Sequence, residues 1–285
     1  MGIDFLTRGI NPWGQSVFTH ISWDLLWVSF FAGVVFLAAH SVYMLLSAHS
    51  KRASAEVDAL EAKLKGLPEK IQRHSLAARM FHWIMAASMF TLLFTSFLPI
   101  VGVQFAWVQW HWMAGLVLAA SILYHIIHAI FFMDFWSIWI GPKDIPEFKS
   151  ELMRELSGNE GGPKAAKYPL GNRLYHLAIV FTGIGATATG LFMMKKVQTP
   201  FFTRDPYILS DATWSWMYVS HGAAGVALVG LTMAHVYFAI RPEKFWLTKS
   251  MLFGFITRRQ YLEHHDPTRW RVPGSEPVGG RPSVE

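Results

Sequence analysis

The chain has 285 residues, of which 52% are hydrophobic and 15% are charged, and it contains 22 Phe, 13 Trp and no Cys. The lack of cysteine excludes disulfides, thiolate-held iron–sulfur clusters and haem attached through Cys-x-x-Cys-His. The net charge of +6 is explained by basic segments between long apolar blocks, which indicates a membrane protein and gives no support to a nucleic-acid role.

Five apolar blocks are long enough to cross a bilayer, which takes about 20 helical residues. An open sheet is excluded there because lipid offers the backbone no hydrogen-bond partner. We therefore predict an all-α, polytopic membrane protein. The predicted spans in chain order are Leu25–Leu46, Met80–Leu98, Trp110–Met133, Leu174–Met194 and Trp214–Ile240.

The distribution of basic residues predicts the orientation. Segments 47–79, 134–173 and 241–285 carry 7, 6 and 8 Lys and Arg residues, whereas the N-terminal arm and the loops 99–109 and 195–213 carry 1, 0 and 3. By the positive-inside rule, the N-terminus lies outside and the C-terminus lies in the cytoplasm.

Outside the membrane we predict one organised segment, Ala53 to His74, in which apolar residues recur at helical spacing. A short amphipathic helix on the cytoplasmic surface or against a partner fits this pattern, and a solvated helix fits it equally. The tail beyond Asp266 is rich in Pro, Gly and Arg and is predicted to be irregular.

Two histidines of the last span, His221 and His235, are fourteen residues apart. On a helix this step returns to nearly the same face and rises about 21 Å, so both rings point the same way at different depths. An ionisable side chain in hydrocarbon needs a partner, and haem iron is a partner that suits imidazole. The bland alternative is two core histidines bonded to neighbouring carbonyls.

Histidines of other spans match these depths. His111 matches His221 near the outer face, and His82 matches His235 near the inner face, which predicts two bis-histidine haem sites. His125 competes with His82, because it follows His111 by fourteen residues, and periodicity leaves both open. Gly115 and Gly225 each follow a histidine by four residues, where a missing side chain would let a porphyrin approach the backbone.

Several motifs between Arg73 and Trp270 resemble the γ subunit of respiratory formate dehydrogenases, within a wider family of di-haem b-type cytochromes that includes hydrogenase cytochrome subunits. The resemblance covers roughly two thirds of the chain. The motifs are Arg79-x-x-His82-Trp83, His111-x-x-x-Gly115, Lys143 to Pro146, Gly158-Asn159-Glu160, Lys167-Tyr168-x-x-Gly171, His221 to Gly225 followed by His235, and Arg258-Arg259 to Trp270.

The resemblance implies that His111 and His221 hold the outer haem b and that His82 and His235 hold the inner one, which selects His82 over His125. It also implies a menaquinone or ubiquinone site beside the inner haem. The segment concerned contains Tyr168, Gly171 and Asn172, but Pro169 stands where the family has a polar residue. Arg79 is a further candidate, because a cation would offset the charge of haem propionates.

These expectations describe a four-helix di-haem bundle with one extra N-terminal helix. It would anchor a respiratory oxidoreductase in a bacterial inner membrane. Its partners would be an iron–sulfur or haem c subunit on the outer face and a catalytic subunit, and it would carry electrons between them and the quinone pool. The added N-terminal arm is either part of a plain anchor or a docking element for that partner. The alternative function is a haem-free transporter or structural anchor. The predicted divisions are 1–52 for arm and extra helix, 53–74 for the amphipathic segment, 75–261 for the haem domain and 262–285 for the tail.

Overall fold

The computed structural model describes residues 5–46, 58, 61, 67–141 and 164–272. Five helices in these stretches are long and apolar enough to cross a membrane, so the predicted all-α, polytopic membrane fold is confirmed. They are α1 (Trp23–Leu46), α2 (Leu76–Phe97), α3 (Trp107–Phe132), α4 (Leu170–Met193) and α5 (Asp211–Ile240).

The helices begin a few residues before the predicted apolar blocks, because their first turns contain polar residues. In α2, the Ser75 hydroxyl accepts a hydrogen bond from the backbone N–H of Ala78 at 3.1 Å and caps the helix. Pro169 precedes α4, and proline suits a helix start because its φ is already helical and its missing N–H would be unpaired there.

The described residues form two compact units. The first contains residues 5–39, 80–133 and 177–237 and so includes most of each span. The second contains residues 40–46, 58, 61, 67–79, 134–141, 164–176 and 238–272.

In the first unit, the N-terminal arm forms a β-hairpin of β1 (Leu6–Ile10) and β2 (Ser16–Ile21), paired antiparallel. Asn11 holds the turn, because its Oδ1 accepts hydrogen bonds from the backbone N–H groups two and four residues later. Gly14 supplies the positive φ of 77° that the turn requires. The expectation that 53–74 is the one organised segment outside the membrane is therefore wrong.

Helix α1 packs directly against α5. A Cβ at Gly33 of α1 would lie 3.0 Å from a methionine of α5, and just before α1 the side chain of Ile21, the last residue of β2, would lie 2.7 Å from a Cβ at Gly222 of α5. Between these contacts, the Ser29 hydroxyl donates to the carbonyl of Val226 at 3.0 Å. Small residues permit this close approach of helices in lipid, so α1 packs as part of the first unit.

The second unit joins β3 (Lys70–Gln72) to β4 (Phe255–Thr257) in an antiparallel pair and adds α6 (Phe245–Phe253) and α7 (Arg258–His264). Its apolar core excludes water from the centre of the unit. The core consists of Leu67, Ile71, Ile256, Tyr261, Leu262 and Val272.

The predicted amphipathic segment 53–74 is mostly outside the described residues, as are the motif segments 143–146 and 158–160. A helix running as far as His74 is wrong, because Lys70–Gln72 is a strand. Pairing with the strand Phe255–Thr257 supplies hydrogen-bond partners for the backbone of Lys70–Gln72 and buries Ile71, which is 1% exposed.

The C-terminal tail holds the stretch that leads into α4. His265 Nδ1 donates to the carbonyl of Ala166 at 2.8 Å, and the backbone N–H of Asp266 donates to that of Ala165 at 2.9 Å. The ammonium of Lys164 donates to a carbonyl of α7 at 2.5 Å. Residues 266–272 lack helix and strand, as expected of the tail, yet they are packed in place.

A buried guanidinium lies at the centre of these contacts. Arg73 is 4% exposed, its Nη1 lies 2.9 Å from His265 Nε2, and its Nη2 donates to the Lys167 carbonyl at 3.2 Å. The rings of Trp246 and Trp270 lie 5.5 and 5.8 Å from its Cζ. Burial lowers the pKa of Arg73 to about 10, so it remains charged at neutral pH.

His265 must be neutral in this arrangement. Its Nδ1–H is committed to a carbonyl, so Nε2 is the unprotonated nitrogen that accepts from Arg73. Burial, followed by the charge of Arg73, lowers the pKa of His265 from 6.5 to about 4.

The second unit should therefore lose stability in acid. His265 takes up a proton below about pH 6.5 in the unfolded chain but only below about pH 4 in the folded chain. The free energy of unfolding therefore falls as the pH decreases from 6.5 to about 4. The loss should reach roughly 3 kcal/mol, and amide hydrogen exchange around α7 measures it. His265→Gln should remove the larger part of this pH dependence, and His264→Gln should remove a smaller part, because burial lowers the pKa of His264 as well. An unchanged slope in His265→Gln would contradict the assignment.

Candidate functional site

Four histidines of the first unit face one another in two pairs. The rings of His111 in α3 and His221 in α5 have centroids 6.1 Å apart, and those of His82 in α2 and His235 in α5 have centroids 6.3 Å apart. The structure therefore brings together the residues that the sequence grouped by depth.

The spacing of each pair suits one metal ion between two imidazoles. An imidazole nitrogen binds a first-row metal at about 2.0 Å and lies about 1.1 Å from its ring centroid, so rings on either side of one ion have centroids about 6.2 Å apart. A direct hydrogen bond between the rings would bring the centroids to about 5.1 Å. The observed 6.1 and 6.3 Å agree with the first arrangement.

A metal between two histidines needs further ligands. In the described part of the chain, no group of three or more His, Cys, Asp or Glu side chains could hold a metal ion. A porphyrin supplies four nitrogens of its own and leaves two axial positions, which an imidazole pair can fill. The donor set therefore fits haem better than a bare ion.

Thr95 orients His111. The Thr95 hydroxyl, on α2, donates to the carbonyl of Thr91 at 2.7 Å and lies 2.9 Å from His111 Nδ1. Because its hydrogen is used on the carbonyl, the hydroxyl accepts from Nδ1–H. This leaves Nε2 of His111 unprotonated and able to bind a metal.

Helix α4 orients His221 in the same way. His221 Nδ1 lies 3.0 Å from the carbonyl of Ala186 and 3.0 Å from the hydroxyl of Thr189. A carbonyl only accepts, so Nδ1 carries the hydrogen and Nε2 is the free nitrogen. A Cβ at Gly190 would lie 3.2 Å from Cε1 of His221, so glycine at this position avoids a close contact with the imidazole ring.

Sequence reasoning missed Thr95, Ala186, Thr189 and Gly190. The available signal was the hydroxyl, because a polar side chain in an apolar span must form a hydrogen bond. Thr95 lies near the C-terminal end of α2 and Thr189 near the C-terminal end of α4. Their distance in sequence from the histidines hid this connection.

His125, the competing candidate, has its ring stacked on Phe81, with centroids 4.3 Å apart and an angle of 18° between planes. The ring of His82 faces His235 instead. This geometry favours His82 as the partner of His235.

The backbone four residues after His111 and His221 has open space beside it, as the positions of the glycines predicted. A Cβ at Gly225 would meet no heavy atom within 4 Å, and one at Gly115 would meet only the tip of Leu92 at 3.9 Å. A flat ring could thus lie against both helices at these positions.

In the second unit, Tyr168, Gly171 and Asn172 lie where the chain enters α4. Gly171 and Asn172 are exposed, and a Cβ at Gly171 would meet nothing within 4 Å. Burial raises the pKa of Tyr168, so its phenol stays protonated and can donate. Pro169, which replaces a polar family residue, accepts the first backbone hydrogen bonds of the helix through its carbonyl.

Two arginines near the ends of α2 and α4 donate to backbone carbonyls of the second unit. Arg79 Nη1 donates to the Leu252 carbonyl at 2.5 Å. Arg173 is buried and donates through its guanidinium to the Trp139 carbonyl, which ties the start of α4 to a short 3₁₀ turn at Phe135–Ile138. The expected role of Arg79 near a propionate stays a prediction.

The chain is similar in sequence to known proteins over much of its length. Residues 73–254 match the family described as prokaryotic cytochrome b561. The chain is also similar to the cytochrome b556 subunit of formate dehydrogenase from Haemophilus influenzae, with 24% identity over 216 residues, covering 70% of this chain and 82% of that protein. The family match includes all four paired histidines and begins after the hairpin and α1.

Proposed function

The chain belongs to the prokaryotic cytochrome b561 family, whose members are membrane cytochromes that bind haem b in electron transfer, and from this premise we propose that it is the di-haem anchor of a respiratory oxidoreductase in a bacterial inner membrane. His111 and His221 hold one haem iron, and His82 and His235 hold the other. The haem group supplies one-electron oxidation and reduction when bound.

The observation that carries this proposal is the pair of imidazole spacings, 6.1 and 6.3 Å, on a helix where the two histidines are fourteen residues apart. That step corresponds to about 21 Å along α5, enough to set the two sites at different depths of a bilayer. Two sites at two depths suit a protein that moves electrons across the membrane.

The residues around the histidines support binding and orientation. Nδ1–H of His111 donates to Thr95, and Nδ1–H of His221 donates to Ala186 and Thr189. These hydrogen bonds fix each ring and make each imidazole a stronger ligand through Nε2. Gly115 and Gly225 admit the ring plane beside the helices.

The partner is a catalytic complex, because the relative from H. influenzae is named as a formate dehydrogenase subunit. We propose that this complex lies on the outer face. An iron–sulfur or haem c subunit exchanges electrons with the site of His111 and His221. The excess of basic residues in alternate loops supports an outer N-terminus and a cytoplasmic C-terminus. The hairpin carries Ile10 and Trp13, 80% and 75% exposed, which suits contact with that partner.

The second substrate is a quinone, menaquinone or ubiquinone, at Tyr168, Gly171 and Asn172. The tail supports this role by holding the preceding backbone, where Arg73 donates to the carbonyl of Lys167. A protonated phenol and an exposed amide supply donors for quinone oxygens, and the glycine leaves space for the ring.

Variants of the paired histidines test the haem assignment. His111→Ala or His221→Ala should remove one of two haems b, and His82→Ala or His235→Ala the other, because each iron loses an axial ligand. Pyridine haemochrome content and the α-band of the purified protein measure this. His125→Ala is the matched control and should keep both; a colourless wild-type protein, or loss of haem in the control with retention in His82→Ala, would reject the assignment.

Thr189→Val tests the role of the orienting hydroxyl. Losing one acceptor from His221 Nδ1 weakens the ligand and should raise the reduction potential of that haem, by at most about 40 mV for a hydrogen bond worth about 1 kcal/mol. Haem content should hold, because the Ala186 carbonyl still accepts. Redox titration measures the shift, with Thr182→Val in the same helix as control; a fall in potential, or equal shifts in both variants, would contradict this role.

Gly171→Leu tests the quinone site by filling the open approach. Binding of a hydroxyquinoline N-oxide inhibitor, followed by fluorescence quenching, should weaken at least tenfold, and Tyr168→Phe should weaken it severalfold by removing a donor. Phe181→Leu changes an exposed residue of the same helix and should leave affinity unchanged. If Gly171→Leu and Tyr168→Phe both bind the inhibitor as wild type does, the quinone site lies elsewhere.

A further inference from the structure

A cleft of about 340 Å³ in the second unit lies beside the start of α2 and the end of α6. Its size falls within the roughly 300–1,000 Å³ of small-molecule sites. One side is basic, formed by Lys70, His74 and Arg79, and no Asp or Glu is among the described residues that line it. A site of this charge selects an anionic group.

Two basic side chains, Lys70 and Arg79, line the cleft. Lys70 is exposed, and its Nζ lies 4.7 Å from the centroid of the Phe255 ring, which holds the ammonium at the cleft wall. Arg79 also lines the cleft, and its Nη1 donates to the carbonyl of Leu252, which holds the guanidinium in place. A guanidinium is suited to the oxygens of a phosphate.

The wall behind these groups is rigid. The backbone N–H groups of Arg73 and His74 donate to the Gly254 carbonyl at 2.8 and 3.0 Å. Gly254 has a φ of +91°, and a Cβ there would lie 3.0 Å from the carbonyl oxygen of His74. Only glycine allows this turn and this approach, so the basic side is held in place before any ligand arrives.

The other side of the cleft is apolar. Leu76 is the first residue of a membrane span, and it and Phe253 are 64% and 61% exposed. Such side chains are stable next to acyl chains and costly in water. A ligand that fits both sides therefore has a phosphate and a hydrocarbon chain.

We propose that this cleft binds one anionic membrane phospholipid, with its phosphate between Lys70 and Arg79 and an acyl chain along Leu76 and Phe253. Basic pockets at the ends of membrane spans recognise anionic headgroups in this way. The proposal rests on neither the histidine pairs nor the quinone site, and it gives Arg79 a role other than the propionate contact expected from the sequence.

The test uses the purified full-length protein, delipidated and titrated in detergent with dioleoyl-phosphatidylglycerol or dioleoyl-phosphatidylcholine, with retained lipid counted by native mass spectrometry. Phosphatidylglycerol should be retained in preference, and Lys70→Ala should weaken it about fivefold. Lys70→Arg should restore binding. Lys249→Ala removes an equal charge and a similar cation–aromatic contact from α6, outside the cleft, and should have no effect.

A second arm separates lipid from free phosphate. Leu76→Ser should weaken phosphatidylglycerol binding while millimolar inorganic phosphate competes only weakly. Efficient competition by inorganic phosphate, with no effect of Leu76→Ser, would make this a soluble-phosphate site and overturn the proposal. Equal retention of both lipids, or equal loss in the Lys70 and Lys249 variants, would overturn it as well. An unchanged α-band in each variant shows that the protein remains folded.

Discussion

A neutral imidazole in hydrocarbon needs a partner for each of its two nitrogens, and this requirement organises the first unit. For His111 and His221, Nδ1 is satisfied by a threonine hydroxyl or a carbonyl, which leaves Nε2 of each ring available for a second partner. The rotation of α2, α3 and α5 about their axes is thereby restricted. Helix α4 has no paired histidine, yet it joins the site through the groups that bond His221.

In the second unit, a buried cation likewise needs hydrogen-bond partners. Arg73 is buried beside a neutral histidine, a carbonyl and two indole rings, where a carboxylate would be the usual partner. The guanidinium thus links β3, the tail and the stretch before α4. Because these contacts come from segments far apart in sequence, the tail supports the entry to α4 although it has no regular structure of its own.

The spans, the family and the depth-matched histidines could be predicted, because hydropathy and a fourteen-residue repeat are local properties of one sequence. The hairpin could not, since its turn depends on the side chain of Asn11 and its strands are short. Lys70–Gln72 was misjudged because the strand exists only through pairing with Phe255–Thr257. Thr95 and Gly190 were hidden because their roles follow from helix packing, which periodicity along one helix does not contain.

Both histidine pairs take one member from α5, the last of the five spans in the described residues. During synthesis the spans enter the membrane in order, so α2 and α3 are in place while each pair still lacks a ring. The same final helix also supplies the glycine that receives Ile21 beside α1. Under the proposed haem ligation, both iron sites are therefore completed only when α5 inserts, and α1 can pack against α5 only then.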